Sequence, residues 1–355
     1  MPKSKPRKPP RLKSPKLRKP EGEPVGHVAL DQAVLLNWYD HHQRDLPWRK
    51  SCQSWHILLS EILLQQTQVS RGIEYWHRMI EAFPTIESMA VAEVDHVLKA
   101  WEGAGYYSRA RRLHALAQQV MLPLSEGGHN GVLPQTAEDL LKLPGIGPYT
   151  AAAVASIAFS QPIACVDGNI RRVMARQSAQ PAPTLNQTQQ WADDCLEPLR
   201  PGDWNQALME LGATVCKPRQ PSCEVCPIHE SCSGKSTPHS YPLPNKTKTK
   251  SVTYRCEVRL DETGQPVLHQ RPPSGLFGGL WGFELFESFD DPSDHMLGYV
   301  GQVKHTLSHR KMTINVWIGR AEGSVQGHHP KELALSGLDH KILELLHFKD
   351  CFVSP

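Results

Sequence analysis

The sequence lacks any apolar run approaching the 18 or more residues that a membrane-spanning helix needs. It also lacks the apolar core of a secretory signal peptide, because its first 20 residues are almost entirely Lys, Arg, Pro and Ser. We therefore expect a soluble, cytoplasmic protein with no membrane partner. Its 355 residues suffice for two or three domains whose cores need no disulfide.

Acidic side chains are absent from residues 1–19, which hold nine Lys or Arg. Proline and like charges disfavour regular structure there, so residues 1–27 are predicted to be a disordered basic tail that either solubilises the chain or contacts phosphates. The rest of the chain has 30 basic and 36 acidic side chains, a net charge of −6. Overall charge is therefore no argument for nucleic-acid binding.

The even number of cysteines typical of a disulfide framework is missing too, since the chain has nine. Four of them lie within 17 residues, with six, two and five residues between them: Cys216, Cys223, Cys226 and Cys232. Four thiolates in one short loop predict a metal site. Zinc and a [4Fe–4S] cluster both accept four thiolates, so the residues alone leave these two alternatives open.

Two kinds of periodicity divide the chain. Apolar residues at helical spacing predict an all-α region over 28–235, with helices at 54–66, 73–83, 91–101, 108–121, 137–143, 151–159, 169–177 and 205–215. Residues 236–250, rich in Ser, Pro, Thr and Lys, predict a linker. Residues 251–355 predict an α+β domain, with strands at 254–260, 266–269, 281–286 and 312–318 and a helix at 337–346.

A Gly-rich turn joins two of the predicted helices at Leu143-Pro-Gly-Ile-Gly-Pro-Tyr-Thr150. Gly145 and Gly147 leave backbone N–H groups bare beside a helix N-terminus, which suits a phosphate. The pattern is similar to a helix–hairpin–helix that holds the DNA backbone without reading bases. A simple turn between helices is the alternative, and Thr136 with Asp139 at capping distance favours a true helix before it.

Two carboxyl groups stand out. Asp167, after a short apolar segment, is expected to cap the following helix, and a capping carboxylate stays ionised with a low pKa. Glu61 interrupts an apolar helix turn. It is either exposed on the helix surface or partly buried with a raised pKa, and in the second case it could donate a proton near neutral pH.

These features together resemble the MutY branch of the helix–hairpin–helix DNA glycosylases across nearly all of residues 28–355. The resemblance rests on the following segments: Leu46–Arg49, Ser60–Val69, Trp101–Arg111, Leu143–Thr150, Val166–Asn169 and the four-cysteine loop with its 6-2-5 spacing. It implies a [4Fe–4S] cluster rather than zinc. Endonuclease III-type lyases of the same superfamily carry a Lys where this chain has Tyr149, and Tyr cannot form an imine. The resemblance therefore implies a monofunctional enzyme.

The resemblance also assigns roles to single residues. Glu61 would protonate adenine at N7, and Asp167 would face the cationic sugar with Tyr149 and Asn169 as its supports. The flipped adenine would lie against four residues: Leu46, Trp48, Arg49 and Gln206. Gln66 and Tyr106 would fill the duplex near the lesion. A neutral acid and a nearby anion are the two carboxyl roles that breaking a glycosidic bond needs, and the base must first leave the stack.

The C-terminal domain resembles the Nudix-like domain of the same family at Gln270–Phe283. It lacks the run of metal-binding glutamates of a Nudix hydrolase, so the resemblance implies recognition of the lesion rather than hydrolysis. Ser308 and His309 match the loop that contacts oxidised guanine. Leu307 stands where the family usually has Phe, and Ala104 where Leu is common. The first change puts an aromatic wedge in doubt.

We therefore expect a base-excision-repair glycosylase that hydrolyses the N-glycosidic bond of adenine opposite 8-oxoguanine or guanine in double-stranded DNA. We expect a monomer, and the absence of an animal-type insertion between the domains favours a bacterial source. One rival is an endonuclease III-like lyase, which Tyr149 and the C-terminal domain disfavour. The other is a metal-stabilised protein that binds lesions without cutting, which would need neither Glu61 nor Asp167.

Overall fold

The computed structural model describes residues 30–51, 53–244, 249–287, 292 and 298–348, so the predicted basic tail lies outside the described residues. Within that part the α-helices are α1 (Gln32–His42), α2 (Pro47–Lys50), α3 (Ser54–Leu63), α4 (Val69–Ala82), α5 (Ile86–Ala90), α6 (Val94–Ala100), α7 (Ser108–Met121), α8 (Ala137–Leu140), α9 (Pro148–Phe159), α10 (Gly168–Gln177), α11 (Leu185–Cys195), α12 (Pro201–Thr214) and α13 (Gly337–Phe348). The strands are β1 (Lys250–Leu260), β2 (His269–Gln270), β3 (Trp281–Gly282), β4 (Glu284–Phe286), β5 (Gly298–Thr306) and β6 (Arg310–Arg320).

Local capping explains where several helices begin. Asp31, Thr136 and Asp167 each accept a hydrogen bond from a backbone N–H in the first turn of α1, α8 and α10. Thr184 and Gln187 form a reciprocal capping box on α11. Helix α9 starts at Pro148, a residue whose missing N–H is harmless in a first turn.

The helices form two lobes, each with its own buried core. One core is built mainly from α3 to α9 and includes Trp101, Met79 and Leu59. The other is built from α1, α10, α11 and α12 and includes Trp204 and Met174. Helix α9 is shared, since Ala151, Val154 and Ala155 belong to the first core and Ala152 and Ala153 to the second. The two lobes therefore face each other across α9, and a cavity opens between them.

The C-terminal domain is built on a four-stranded sheet in the order β4-β1-β6-β5. β1 and β6 run parallel over eleven paired residues, and the two edge strands are antiparallel to their neighbours. Alternate residues of β1 and β6 are buried beneath α13, including Cys256, Ile314 and Val316. β2 and β3 form a separate two-stranded sheet.

The two parts of the chain share buried surface. Leu280 and Ala334 of the C-terminal domain belong to the core of the first helical lobe. Tyr107, in the loop before α7, donates its hydroxyl to the backbone oxygen of Leu335 at 3.1 Å. None of the helices in the described residues is long and apolar enough to cross a bilayer.

Candidate active site

The cavity between the two lobes has a volume of about 880 Å³. It collects nine of the residues singled out from the sequence: Leu46, Trp48, Arg49, Glu61, Gln66, Tyr149, Asp167, Asn169 and Gln206. They come from α2, α3, α9, α10 and α12 or from the ends of these helices. Residues up to 160 positions apart in the sequence therefore line one concave site.

Glu61 is buried in the wall of this cavity, with 8% of its surface exposed, so the alternative of an exposed helix residue was wrong. Burial raises the pKa of Glu61 to about 7, against the lowering effect of a hydrogen bond from Tyr149. The Tyr149 hydroxyl donates to Glu61 Oε2 at 2.8 Å. Glu61 can therefore hold a proton at neutral pH.

Asp167 caps α10 as predicted, because its Oδ1 accepts from the Ile170 N–H at 2.7 Å. Asn169 Nδ2 donates to the other carboxyl oxygen at 2.7 Å. The expected low pKa was wrong: burial raises the pKa of Asp167 and outweighs these hydrogen bonds. The expected support of Asp167 by Tyr149 stays a prediction, and in this structure the Tyr149 hydroxyl donates to Glu61.

Two further carboxyl groups line the same cavity and were not singled out from the sequence, Asp203 and Glu210. Glu210, on α12, has a fully buried side chain that accepts from Arg44 Nε at 2.6 Å and from Arg49 Nη2 at 2.8 Å. Burial alone would raise its pKa, but these partners lower it below its usual value. A lone acid in the apolar stretch Ala207–Leu211 is the same signal that marked Glu61.

Arg49 joins this ion pair to the predicted base pocket. Its Nε donates to Gln206 Oε1 at 3.2 Å, and its Nη1 donates to the backbone oxygen of Arg44 at 3.0 Å. Leu46 and Trp48 are buried beside it at the start of α2. The cavity therefore offers an apolar wall together with a fixed guanidinium and amide, a combination that suits a flat heteroaromatic base.

The helix–hairpin–helix is present as α8, a glycine turn and α9. Gly145 has φ +81°, and a Cβ there would lie 2.7 Å from the Cβ of Arg112. Gly147 precedes Pro148 as the N-cap of α9, and a Cβ there would meet nothing within 4 Å. The turn thus presents open backbone at a helix N-terminus, outside the large cavity.

The four-cysteine loop follows α12. Its cysteines, Cys216, Cys223, Cys226 and Cys232, line one small cavity. Arg176, a buried residue of α10, donates to Cys216 Sγ at 3.3 Å and to the Lys217 oxygen at 2.8 Å. In the described part of the chain, no three His, Cys, Asp or Glu side chains are grouped closely enough to hold a metal ion.

A third cavity, of about 550 Å³, lies between the loop before α7 and the C-terminal domain. Ser308 and His309 form the tip of the β5–β6 hairpin on its rim. The Tyr106 hydroxyl donates to Ser308 Oγ at 2.9 Å. Gln66 and Tyr106 both have positive φ, 60° and 48°, so the two residues predicted to enter the duplex lie on sharply turned backbone.

Comparisons with known proteins agree with this architecture. Residues 59–198 match the model of the HhH-GPD superfamily of base excision DNA repair proteins, and residues 257–345 match that of the NUDIX domain. The structure of a thermostable thymine-DNA glycosylase superposes with a TM-score of 0.53 at 28% identity, covering 58% of this chain and 94% of that one. The structure of a non-covalent endonuclease III–DNA complex superposes with a TM-score of 0.50 at 20% identity, covering 58% of this chain and 93% of that one. This likeness supports the fold alone. The class is therefore a helix–hairpin–helix base-excision-repair glycosylase with a Nudix-like domain.

Sequence relatives narrow this class. The human adenine DNA glycosylase is 35% identical over 379 residues, covering 84% of this chain and 68% of the human protein. The adenine DNA glycosylase of Mycolicibacterium smegmatis is 43% identical over 209 residues, covering 57% of this chain and 68% of that protein. This chain belongs to the adenine DNA glycosylase family, the MutY-type enzymes, and the predicted family and enzyme class are confirmed.

Proposed function

We propose that this enzyme removes adenine mispaired with 8-oxoguanine or guanine in double-stranded DNA by hydrolysing the N-glycosidic bond. The observation that carries the proposal is Glu61, a buried carboxyl group with a pKa of about 7, in the same cavity as Asp167. A site with one neutral acid and a second carboxyl group nearby matches the two roles that departure of a base from a sugar requires.

The chemical step begins with proton transfer. Glu61 donates its proton to N7 of a flipped adenine, and the bond between N9 and the sugar then breaks, with the electron pair leaving on the base. The sugar passes through a cationic state until water adds and loses a proton. General-acid assistance of this kind is worth about 10²–10⁴-fold in rate.

Asp167 is proposed to stabilise the cationic sugar. Both of its oxygens accept hydrogen bonds, from Ile170 N and Asn169 Nδ2, which hold the carboxyl group in one orientation. A fixed negative charge placed before the reaction stabilises developing positive charge without rearrangement. Tyr149 stands where a lyase has its amine nucleophile, so we propose a monofunctional enzyme with no Schiff base.

Binding of the DNA is proposed to use three surfaces. The adenine enters the cavity beside Leu46, Trp48, Arg49 and Gln206, which requires the base to leave the duplex. The hairpin glycines Gly145 and Gly147 offer backbone N–H groups to a phosphate. A monomer suffices for this arrangement, since every proposed contact comes from one chain.

Discrimination of the opposite base is proposed for the hairpin tip. Oxidised guanine differs from guanine by one oxo group and one N–H, so a few hydrogen bonds suffice to distinguish them. Ser308 and His309 supply donors and acceptors, and the hydrogen bond from Tyr106 to Ser308 holds the tip against the helical region. Leu307 is half-buried below the tip.

The cysteine loop is proposed to hold a [4Fe–4S] cluster. The four cysteines line one cavity, and the Arg176 guanidinium, which donates to Cys216 Sγ, places a positive charge beside them. The choice of a cluster over zinc rests on the 6-2-5 spacing of the cysteines, which resembles that of the family's [4Fe–4S] loop. The cluster would order residues 216–232, and no chemical step is assigned to it.

Metal analysis of purified protein tests the cluster. We expect about four irons per chain in the wild type, most of them lost in Cys223→Ser. Cys195→Ser is the matched control, because Cys195 lies outside the loop on α11 and should leave the iron content unchanged. One zinc per chain, or unchanged iron in Cys223→Ser, would contradict the proposal.

Incubation with defined duplexes tests the activity. The expected result is an alkali-sensitive site at adenine opposite 8-oxoguanine and, more slowly, opposite guanine, with no break before alkali. Strand breaks without alkali at an oxidised pyrimidine would instead indicate the lyase. Binding without any alkali-sensitive site would indicate a recognition protein.

A further inference from the structure

One carboxylate lies between the helical region and the C-terminal domain and has no part in the cavity chemistry. Glu102 follows α6 and has a side chain that is 19% exposed. Its Oε1 accepts from His340 Nε2 at 2.8 Å and from the Leu335 N–H at 3.0 Å, and its Oε2 accepts from Lys99 Nζ at 2.9 Å. Lys99 also donates to the Leu333 oxygen at 2.9 Å. We call Glu102, Lys99 and His340 the docking cluster.

The docking cluster is bound together by charge. Burial raises the pKa of Glu102, but the hydrogen bonds from His340 and Lys99 outweigh it and bring the pKa to about 2. Glu102 in turn raises the pKa of His340. Because a partly buried carboxylate with several charged donors holds them in fixed directions, this contact orients the C-terminal domain as well as attracting it.

The loop after Glu102 is held tightly and leads to Tyr106. Trp101 Nε1 donates to the Gly105 oxygen at 3.0 Å, and the Gly103 N–H donates to the Tyr107 hydroxyl at 3.1 Å. The same Tyr107 hydroxyl donates to the Leu335 oxygen. Both ends of the loop from 101 to 107 therefore contact residue 335, and Tyr106 projects from between them.

Arg109 joins this loop to the helix of Glu61. Its Nη2 donates to the oxygens of Ala104 and Gly105 at 3.1 Å each. Its Nη1 donates to backbone oxygens at the end of α3, including Ile62 at 2.7 Å. The loop thus has fixed contacts to the C-terminal domain on one side and to α3 on the other.

We propose that Glu102 is a positioning residue for mispair discrimination, because it docks the C-terminal domain on the 101–107 loop and so brings Ser308 to Tyr106. This inference rests on the proposed function for its activity readout. Ser308 and Tyr106 come from different domains, and their 2.9 Å hydrogen bond persists only while the domains keep this relative orientation.

Other contacts between the domains hold different parts of the C-terminal domain, and the Tyr107 hydroxyl reaches only the Leu335 oxygen in the segment before α13. Arg111 donates to the oxygens of Pro273 and Gly278, which holds the 272–279 loop rather than the segment that begins α13. Gln270 donates to Asp95 at an exposed site. Among these contacts, Glu102 alone connects the base of the Tyr106 loop directly to α13, through His340.

The test compares five full-length variants: Glu102→Ala, Glu102→Gln, His340→Gln, the double variant Glu102→Ala with His340→Gln, and the control Glu344→Gln. Glu344 is exposed on α13, one turn beyond His340, and loses the same charge. The first readout is the ratio of single-turnover rate constants for adenine opposite 8-oxoguanine and opposite guanine. The second is hydrogen exchange of the 101–107 segment without DNA, which needs no substrate.

We expect Glu102→Ala to lower the rate ratio by roughly tenfold, the effect of losing one charge-assisted hydrogen bond, and to speed exchange of the loop. Glu102→Gln keeps an acceptor for the Leu335 N–H and should lower the rate ratio less. The double variant Glu102→Ala with His340→Gln should have the same rate ratio as Glu102→Ala alone, because the two residues act through one contact. Glu344→Gln should match the wild type.

An unchanged ratio in Glu102→Ala, in an enzyme that does discriminate, would overturn the inference. Equal loss of both rates with a constant ratio would do the same, since it would indicate only structural support. If the wild type removes adenine from neither duplex, the proposed function fails instead. The hydrogen-exchange measurement still tests docking in that case. Faster exchange of the 101–107 segment in Glu102→Ala supports docking through Glu102, and unchanged exchange overturns it.

Discussion

The α3 wall and the α12 wall of the cavity each bury a glutamate, and the two carboxyl groups behave oppositely. Glu61 on α3 has an uncharged donor, the Tyr149 hydroxyl, and its pKa is raised to about 7. Glu210 on α12 has two guanidinium donors, from Arg44 and Arg49, and its pKa is lowered. Removal from water is common to both residues, so the hydrogen-bonding partner decides which one keeps its proton.

The comparison separates a group that can react from a group that holds the site together. A neutral glutamic acid can donate a proton to a bound base, whereas an ion-paired carboxylate fixes Arg49 and, through it, Gln206. Substitutions in the two walls should therefore change different observables. The α3 wall should control the rate, and the α12 wall should control stability.

The largest effect should follow Glu61→Gln. Without the acid, the single-turnover rate should fall about 10²–10⁴-fold or more, because adenine leaves poorly until it is protonated. Affinity for the mispaired duplex should persist, since the amide keeps the shape. Glu81→Gln, on the exposed face of α4, is the control and should match the wild type. A rate within tenfold of the wild type would refute the role of Glu61.

A smaller effect, on stability, should follow Glu210→Gln. This change leaves Arg44 and Arg49 without their charged partner, and breaking a buried ion pair costs about 3–5 kcal/mol. Arg44 is partly exposed, which places the expected loss near the lower end. Urea unfolding measures it, with Asp45→Asn, from the exposed pair with Lys50, as a control that should lose less than about 1 kcal/mol. Equal losses of unfolding free energy in Glu210→Gln and Asp45→Asn would contradict the structural role assigned to Glu210.

The pH dependence of stability should sharpen the contrast. Glu61 has a pKa of about 7 in the folded chain against an ordinary 4.5, so the folded state binds the proton more tightly. Glu61→Gln should then be stabilised relative to the wild type as pH rises from 4.5 through about 7, and by about 3 kcal/mol above that range. Below pH 4.5 this pH-dependent part of the stability difference should vanish. A stability difference that is constant with pH would show that Glu61 keeps its usual pKa.

Local sequence patterns predicted the parts of the fold that local interactions decide. Helix α7 has the predicted bounds, 108–121, and the predicted strand 312–318 lies inside β6. Helices α1 and α11 and strand β5 were not singled out. β5 alternates poorly, since most of its side chains are exposed or half-buried, so its pattern resembles a loop.

The site was predictable in its residues but less so in its contacts. The resemblance named nine residues that line one cavity. It did not give the partner of Tyr149, the raised pKa of Asp167 or the pair of Glu210 with Arg44, which are 166 positions apart. These features depend on burial and on contacts between lobes, and no local periodicity encodes either.

The docking cluster shows the same limit between domains. Lys99 and Glu102 lie three positions apart and could be paired from the sequence, as i,i+3 neighbours often are. His340 is 238 positions away from Glu102, and nothing near it in the sequence marks it. The positions that couple the domains therefore emerge only once the chain is folded.

The central claim, that Glu61 acts as a neutral acid tuned by its partner, is tested most directly by the pH dependence of kcat/KM for adenine opposite 8-oxoguanine in the wild type and Tyr149→Phe. Loss of activity should set in as pH rises through about 7 in the wild type, because the acid must keep its proton. The hydrogen bond from Tyr149 lowers the pKa of Glu61, so Tyr149→Phe should move the loss of activity to higher pH, by about half to one pH unit for one hydrogen bond. A wild-type kcat/KM that stays constant across neutral pH, or a loss of activity that moves to lower pH in Tyr149→Phe, would contradict the account.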